Sequence, residues 1–259
     1  EHVRDTADDD EDDDVDEIIA DFTYDYGFIN RGSIIAIGRN VGYDATGVRI
    51  EGSSDGLYTT TIEGGLLNYG SLTATAYEAS ATGFSFGRGA ILSRFDNEGT
   101  INVTAAAQSS AERAIAILIE DGADIASITN TGAITANINT GAGAAYALKD
   151  ESGSVASVVN RGRIVSDSDG GVEVALDFSW HGAGAGVSLL QDYSTPTYDA
   201  NDDDAIDYDD VTTPYIGGDM LFGAGADSVD IRAGSVDGDI TFGAGADTLS
   251  IDDSTVIGN

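Results

Sequence analysis

The chain has 259 residues, with 11 Lys plus Arg against 46 Asp plus Glu, so its formal net charge is −35. Phosphate recognition needs clustered cations, so this balance argues against nucleic acid as a partner and against docking on an anionic membrane surface. Hydrophobic residues make up 41%, enough for a core, and the absence of cysteine excludes disulfides and thiolate metal sites.

Residues 1–21 read as an acidic arm that includes Asp8-Asp9-Asp10-Glu11-Asp12-Asp13-Asp14. Like charges at that density repel one another, and the expectation is a disordered segment unless cations bind it. No apolar run approaches the roughly 20 residues that a membrane-spanning helix needs.

From residue 22 to 177 the informative feature is an internal repeat. Five segments open with Asn-x-Gly: NRGSIIAIG at Asn30, NYGSLTATA at Asn68, NEGTINVTA at Asn97, NTGAITANI at Asn130 and NRGRIVSDS at Asn160. Four places after each Asn stands a branched aliphatic residue, Ile34, Leu72, Ile101, Ile134 or Ile164. Two places further on is a small or β-branched one, Ala36, Ala74, Val103, Ala136 or Ser166. That alternation is the signature of a strand with one buried face. Each coil of about 30 residues then reads as three short strands between Gly-rich turns, too little to close a core alone but able to stack on its own copy. Stacking places the aliphatic residues in one buried column and the Asn residues in another at a turn. The Gly two places on is expected to supply a backbone conformation costly to other residues. Only residues 111–120 hint at a helical period.

Residues 178–215 read as an insertion. Within it, DANDDDAIDYDD places oxygen-bearing residues at alternating positions of a twelve-residue loop: Asp199, Asn201, Asp203, Asp207 and Asp210, with the Ala205 carbonyl between. The pattern resembles the calcium loops of EF-hand and dockerin-like proteins, which makes calcium the candidate ion. Asp204 stands where Gly gives the sharp turn, and Asp210 is one methylene shorter than the usual Glu. A solvated acidic loop is the alternative. His181, in FSWHGAGAG beside Trp180, is expected in a surface loop, without a nucleophile placed to make it catalytic.

From residue 216 to 259 the period falls to 20 residues. GGDMLFGAGADSVDI returns as DGDITFGAGADTLSI, with Phe222 matching Phe242 and Asp227 matching Asp247. The GAGAD units resemble the calcium-binding nonapeptide repeats of secreted toxins. Their spacing favours Asp227 and Asp247 as turn residues capping backbone amides. A further copy opens at Ile257-Gly258-Asn259, so the solenoid is expected to continue in a longer protein.

The fold expected is all-β, a right-handed parallel β-solenoid. N-x-G-x-[ILV] coils followed by GD-x-x-FGAGAD-[ST]-[VL] units resemble the passenger domains of Gram-negative autotransporters. That resemblance implies an extracellular site at the cell surface, export through a C-terminal outer-membrane β-barrel that is missing from this sequence, and an adhesive or structural role without enzymatic activity. The expected partners are a cell-surface or matrix protein, a glycan, or a second copy. A calcium-dependent self-assembling surface layer or filament and a polysaccharide-degrading β-helix enzyme are the alternatives.

Overall fold

In the computed structural model, residues 25–53, 55–197 and 205–258 are described. The acidic arm at 1–21 lies outside them. The described chain is a right-handed parallel β-solenoid. Two eight-stranded sheets and one seven-stranded sheet run its length, and a three-stranded sheet adds a fourth wall to the first rungs.

The first rung shows the design. Phe28–Asn30 opens the first sheet, Ser33–Gly38 the second, Ala45–Ile50 the third and Thr60–Ile62 the small fourth. Each strand pairs in parallel with its counterpart one rung on, as Ile34 with Leu72 and then Ile101, Ile134, Ile164, Ile216, Val236 and Val256. That column is the aliphatic one expected from the repeat, and from Leu72 to Val236 it is buried. The small column follows it, Ala36 beside Ala74, Val103, Ala136 and Ser166. Residues 113–119, in the stretch with a helical hint, form a strand of the third sheet because their apolar residues meet Phe84 and Phe86 of the rung before.

Asn30, Asn68, Asn97, Asn130 and Asn160 form a continuous side-chain ladder. Each Nδ2 donates to the Oδ1 of the next, at 2.7, 2.7, 2.8 and 2.9 Å. These amides are buried, so each would cost free energy if it were left unpaired, and the ladder satisfies them rung by rung. The glycine of Asn-x-Gly has a reason other than the one expected. None of Gly32, Gly70, Gly99, Gly132 and Gly162 has a positive φ. A Cβ on Gly99 would instead lie 1.9 Å from Gly70 O, and one on Gly132 2.0 Å from Gly99 O. Close approach of backbones in successive turns excludes a side chain there.

The repeat shortens at one corner. Between the second and third sheets, long rungs use several residues, whereas the later rungs turn on one glycine, Gly218 with φ +111° and Gly238 with φ +149°. The span 178–215 also resolves into parts. Ser188–Gln191 is a strand of the first sheet, paired with Ser157–Asn160 on one side and Ser228–Ile231 on the other. The first-sheet strand ends at Gln191 and the next second-sheet strand begins at Tyr215, so the connection between them is 192–214, of which 192–197 and 205–214 are described.

Candidate functional site

The third sheet carries an interior column in which Ile50, Phe86, Ile119 and Asp150 stand in register. A carboxylate thus follows three large apolar residues. Its position is explained by the turn that comes next. Asp150 Oδ1 accepts from the Ser152 N–H at 2.8 Å, the Ser152 hydroxyl at 2.6 Å and the Gly153 N–H at 3.2 Å, and Oδ2 accepts from the Val155 N–H at 3.1 Å. Asp150 thereby folds the corner that the fourth sheet occupies in the preceding rungs.

The remaining contact of Asp150 is His181, whose Nε2 lies 2.7 Å from Oδ2, with both side chains fully buried. The other ring nitrogen, Nδ1, lies 3.3 Å from the Ala185 carbonyl. Burial works against charge on Asp150, but hydrogen bonds from His181, Ser152 and Val155 outweigh it and hold the carboxyl below the ordinary range. His181 is therefore an interior residue, in place of the surface loop position expected. It staples the 181–185 turn to the 150–155 turn, and its ring meets Phe178 edge-on at 5.5 Å. Trp180, one residue away, points outward with 63% of its surface exposed.

Around Trp180 the outer face of the third sheet gathers a second polar group. Lys149 is buried, its Nζ 2.7 Å from Glu151 Oε1 and 3.4 Å from Asp177 Oδ2. The same ammonium lies 5.5 Å from the Tyr146 ring centroid and 6.0 Å from that of Trp180. Asp177 caps the next turn, accepting from the Ser179 N–H at 3.1 Å and its hydroxyl at 2.6 Å. Sequence reasoning missed Asp150, Lys149 and Asp177 as a group. The available signal was the Asp-x-Ser pattern at 150–152 and 177–179, which marks side-chain-capped turns.

The six residues proposed for calcium divide between two classes. Asp199, Asn201 and Asp203 lie outside the described residues. Ala205, Asp207 and Asp210 are described. Tyr208–Asp210 forms one 3₁₀ turn, and Asp210 Oδ2 accepts from the Asp207 N–H at 3.0 Å. Among the described residues, no three His, Asp or Glu side chains converge as a metal site would require. The loop's aromatics are organised: Tyr193 stacks on Tyr208 with ring centroids 5.0 Å apart, and Ile206 is exposed.

The GAGAD turns stack as expected of capping residues. Asp227 Oδ1 accepts from the Val187 N–H at 2.8 Å, and Asp247 Oδ1 from the Asp227 N–H at 3.0 Å. His181-Gly-Ala-Gly-Ala-Gly186 is a third turn of this kind, unrecognised from sequence because Ser179 and Trp180 separate it from Phe178. The phenylalanines give it away: Phe178, Phe222 and Phe242 stack in one column at 5.8 and 5.2 Å. Asp227 Oδ2 is buried without a hydrogen-bond partner. A groove of about 790 Å³ opens where the corner shortens, lined by Asp167, Glu173, Asp219, Asp237 and Tyr215.

No family model, no curated protein and no solved structure matches the chain. None of the helices among the described residues is long and apolar enough to cross a membrane.

Proposed function

We propose that the chain is a non-enzymatic passenger module of the autotransporter type, displayed at the surface of a Gram-negative cell and acting in adhesion or cell-surface structure. One observation carries this reading. The rungs keep register straight through Ser157–Asn160, Ser188–Gln191 and Ser228–Ile231, although a long loop leaves the rod between Gln191 and Tyr215. The ends of that loop pair with neighbouring rungs, the Asp192 N–H donating to Asn160 O and the Ser235 N–H to Pro214 O. The columns run on past it, and a long segment that interrupts a regular scaffold is a place for binding. Its stacked tyrosines and exposed Ile206 supply contact area, while the surface charge keeps rods apart.

The test is display of the chain on a non-adherent bacterium, followed by adherence to cultured cells and to immobilised matrix proteins. Adherence above the undisplayed strain supports the reading, and none on any surface overturns it.

A cation-dependent role takes its support from a separate observation, the unpartnered Asp227 Oδ2. A buried carboxylate oxygen without a donor is a position a cation could satisfy. In this reading calcium binds the folded chain and bridges acidic surfaces of neighbouring copies. Millimolar calcium should then raise the unfolding midpoint over chelator, and magnesium should not. Loss of the rise in Asp203→Ala plus Asp207→Ala would place the ion in the 192–214 loop, and loss in Asp227→Asn would place it at the GAGAD turn. No calcium-specific rise would remove calcium from the account.

A further inference from the structure

Trp180 is the chain's one tryptophan. It stands in solvent on a support held from beneath, because Phe178 and His181 on either side are buried and His181 is fixed to Asp150 at 2.7 Å. The turn that follows leaves the indole unshielded: Gly182 and Gly184 have open space where a side chain would project. Buried Lys149 Nζ lies 6.0 Å from the ring centroid and holds the half-buried Glu151 carboxylate at 2.7 Å. An exposed indole and a part-exposed acceptor are thus held on one corner.

We propose that Trp180 is the stacking platform of a neutral-sugar subsite, with one pyranose ring on the indole and its hydroxyls bonded to the part-exposed Glu151 carboxylate, which buried Lys149 holds in place. The inference rests on the adhesive reading and names a ligand class for it. The apolar face of a pyranose matches the apolar body of an indole, and sugar hydroxyls donate to a carboxylate. Anionic sugars are disfavoured by Glu151, Asp177 and the net charge of −35. A protein partner would favour a broad apolar patch, whereas the exposed neighbours of the ring are Ser179, Gly182, Ala183 and Gly184. The buried staple below means that little ordering remains to be done on binding.

The single tryptophan provides the readout. The purified full chain is titrated with cellohexaose, mannohexaose and N-acetylchitohexaose, with heparin and polygalacturonate oligomers as anionic probes, and indole emission is followed. The expected result is a saturable change with at least one neutral hexaose and none with the anionic probes. By calorimetry, Trp180→Ala should weaken that binding roughly tenfold or more at an unchanged unfolding midpoint, and Trp180→Phe should restore part of it. No saturable response to any neutral hexaose, a response to anionic oligomers alone, or full binding by Trp180→Ala would overturn the inference. Adherence of displayed wild-type chain without a sugar response removes the subsite and leaves adhesion standing. A sugar response without adherence does the reverse.

Discussion

Asn160 Nδ2 donates to Gln191 Oε1 across 2.9 Å, which carries the buried amide ladder one rung past the last Asn-x-Gly. Gln191 is longer than asparagine by one methylene, and its Nε2 closes the ladder on the backbone carbonyls of Ala233 and Ser235 at 3.0 and 3.2 Å. The substitution falls where the short turn after the ladder residue is replaced by the long connection 192–214. The ladder is thus one hydrogen-bonded unit running from Asn30 to the start of the 20-residue repeats.

Its middle should matter more than its end. Asn97→Ala removes two ladder bonds and leaves Asn68 Nδ2 and Asn130 Oδ1 buried without their partners, at a cost of about 2–4 kcal/mol. Asn30→Ala removes one ladder bond and leaves one buried atom, Asn68 Oδ1, without its ladder donor, so it should cost about 1–2 kcal/mol. Urea denaturation of the two variants checks the order, and equal losses would contradict it.

The glycines separate two explanations of the repeat. If close backbone approach selects glycine, Gly99→Ala should destabilise by about 1–3 kcal/mol, because its Cβ would meet Gly70 O. Gly32→Ala, with nothing within 4 Å of the added atom, should stay within about 0.5 kcal/mol of wild type. A demand for special dihedrals would penalise both alike, and thermal melts of the pair decide it.

Much of this scaffold was legible in the sequence because a column repeats its signal at every rung. Ile34 to Ile164 and Asn30 to Asn160 announce themselves by spacing alone, so the fold and the turn ladder follow from five copies of one pattern. The candidate site did not repeat, and that is why it was missed. Asp150 occurs once, in a column otherwise filled by Ile50, Phe86 and Ile119, and His181 is drawn inward by a partner 31 residues away. Nothing local distinguishes a buried His–Asp pair from a Gly-flanked surface histidine. The strand Ser188–Gln191 was hidden for the same reason, since Gln191 breaks the Asn-x-Gly register while keeping its place in the ladder.

Asp150 should tie stability to acid. Its carboxyl is held below its ordinary value of about 3.9 by donors that outweigh burial, so its contribution is present above that pH and is lost as pH falls through the folded-state value. The midpoint difference between wild type and Asp150→Asn should therefore shrink below about pH 4. His181→Ala, which removes one hydrogen bond to the buried carboxylate and leaves its other four in place, should cost about 1.5–3 kcal/mol near neutrality. Melts from pH 2 to 7 test both, and a pH-independent difference for Asp150→Asn would contradict the assignment.

At the entry to the first rung, Tyr26 Oη donates to Asp96 Oδ2 at 2.5 Å under the Arg94 guanidinium, which lies 4.1 Å from the ring centroid. Burial and the bond to Asp96 push the phenol up to about 12. A raised folded value stabilises fully below the unfolded value of about 10 and is lost as pH rises through the folded one. Tyr26→Phe should thus lie below wild type at pH 8 and converge with it between about pH 10 and 12.

The central claim is that the solenoid is a scaffold and the loop at 192–214 its main contact. The most direct measurement replaces that loop with the Arg-Gly pair that spans the same corner at Arg161-Gly162, together with Gln191→Asn, and follows melting and adherence on one sample. The expected result is a cooperative midpoint within about 5 °C of wild type and adherence reduced roughly tenfold. Undiminished adherence, or loss of cooperative unfolding, would contradict the claim.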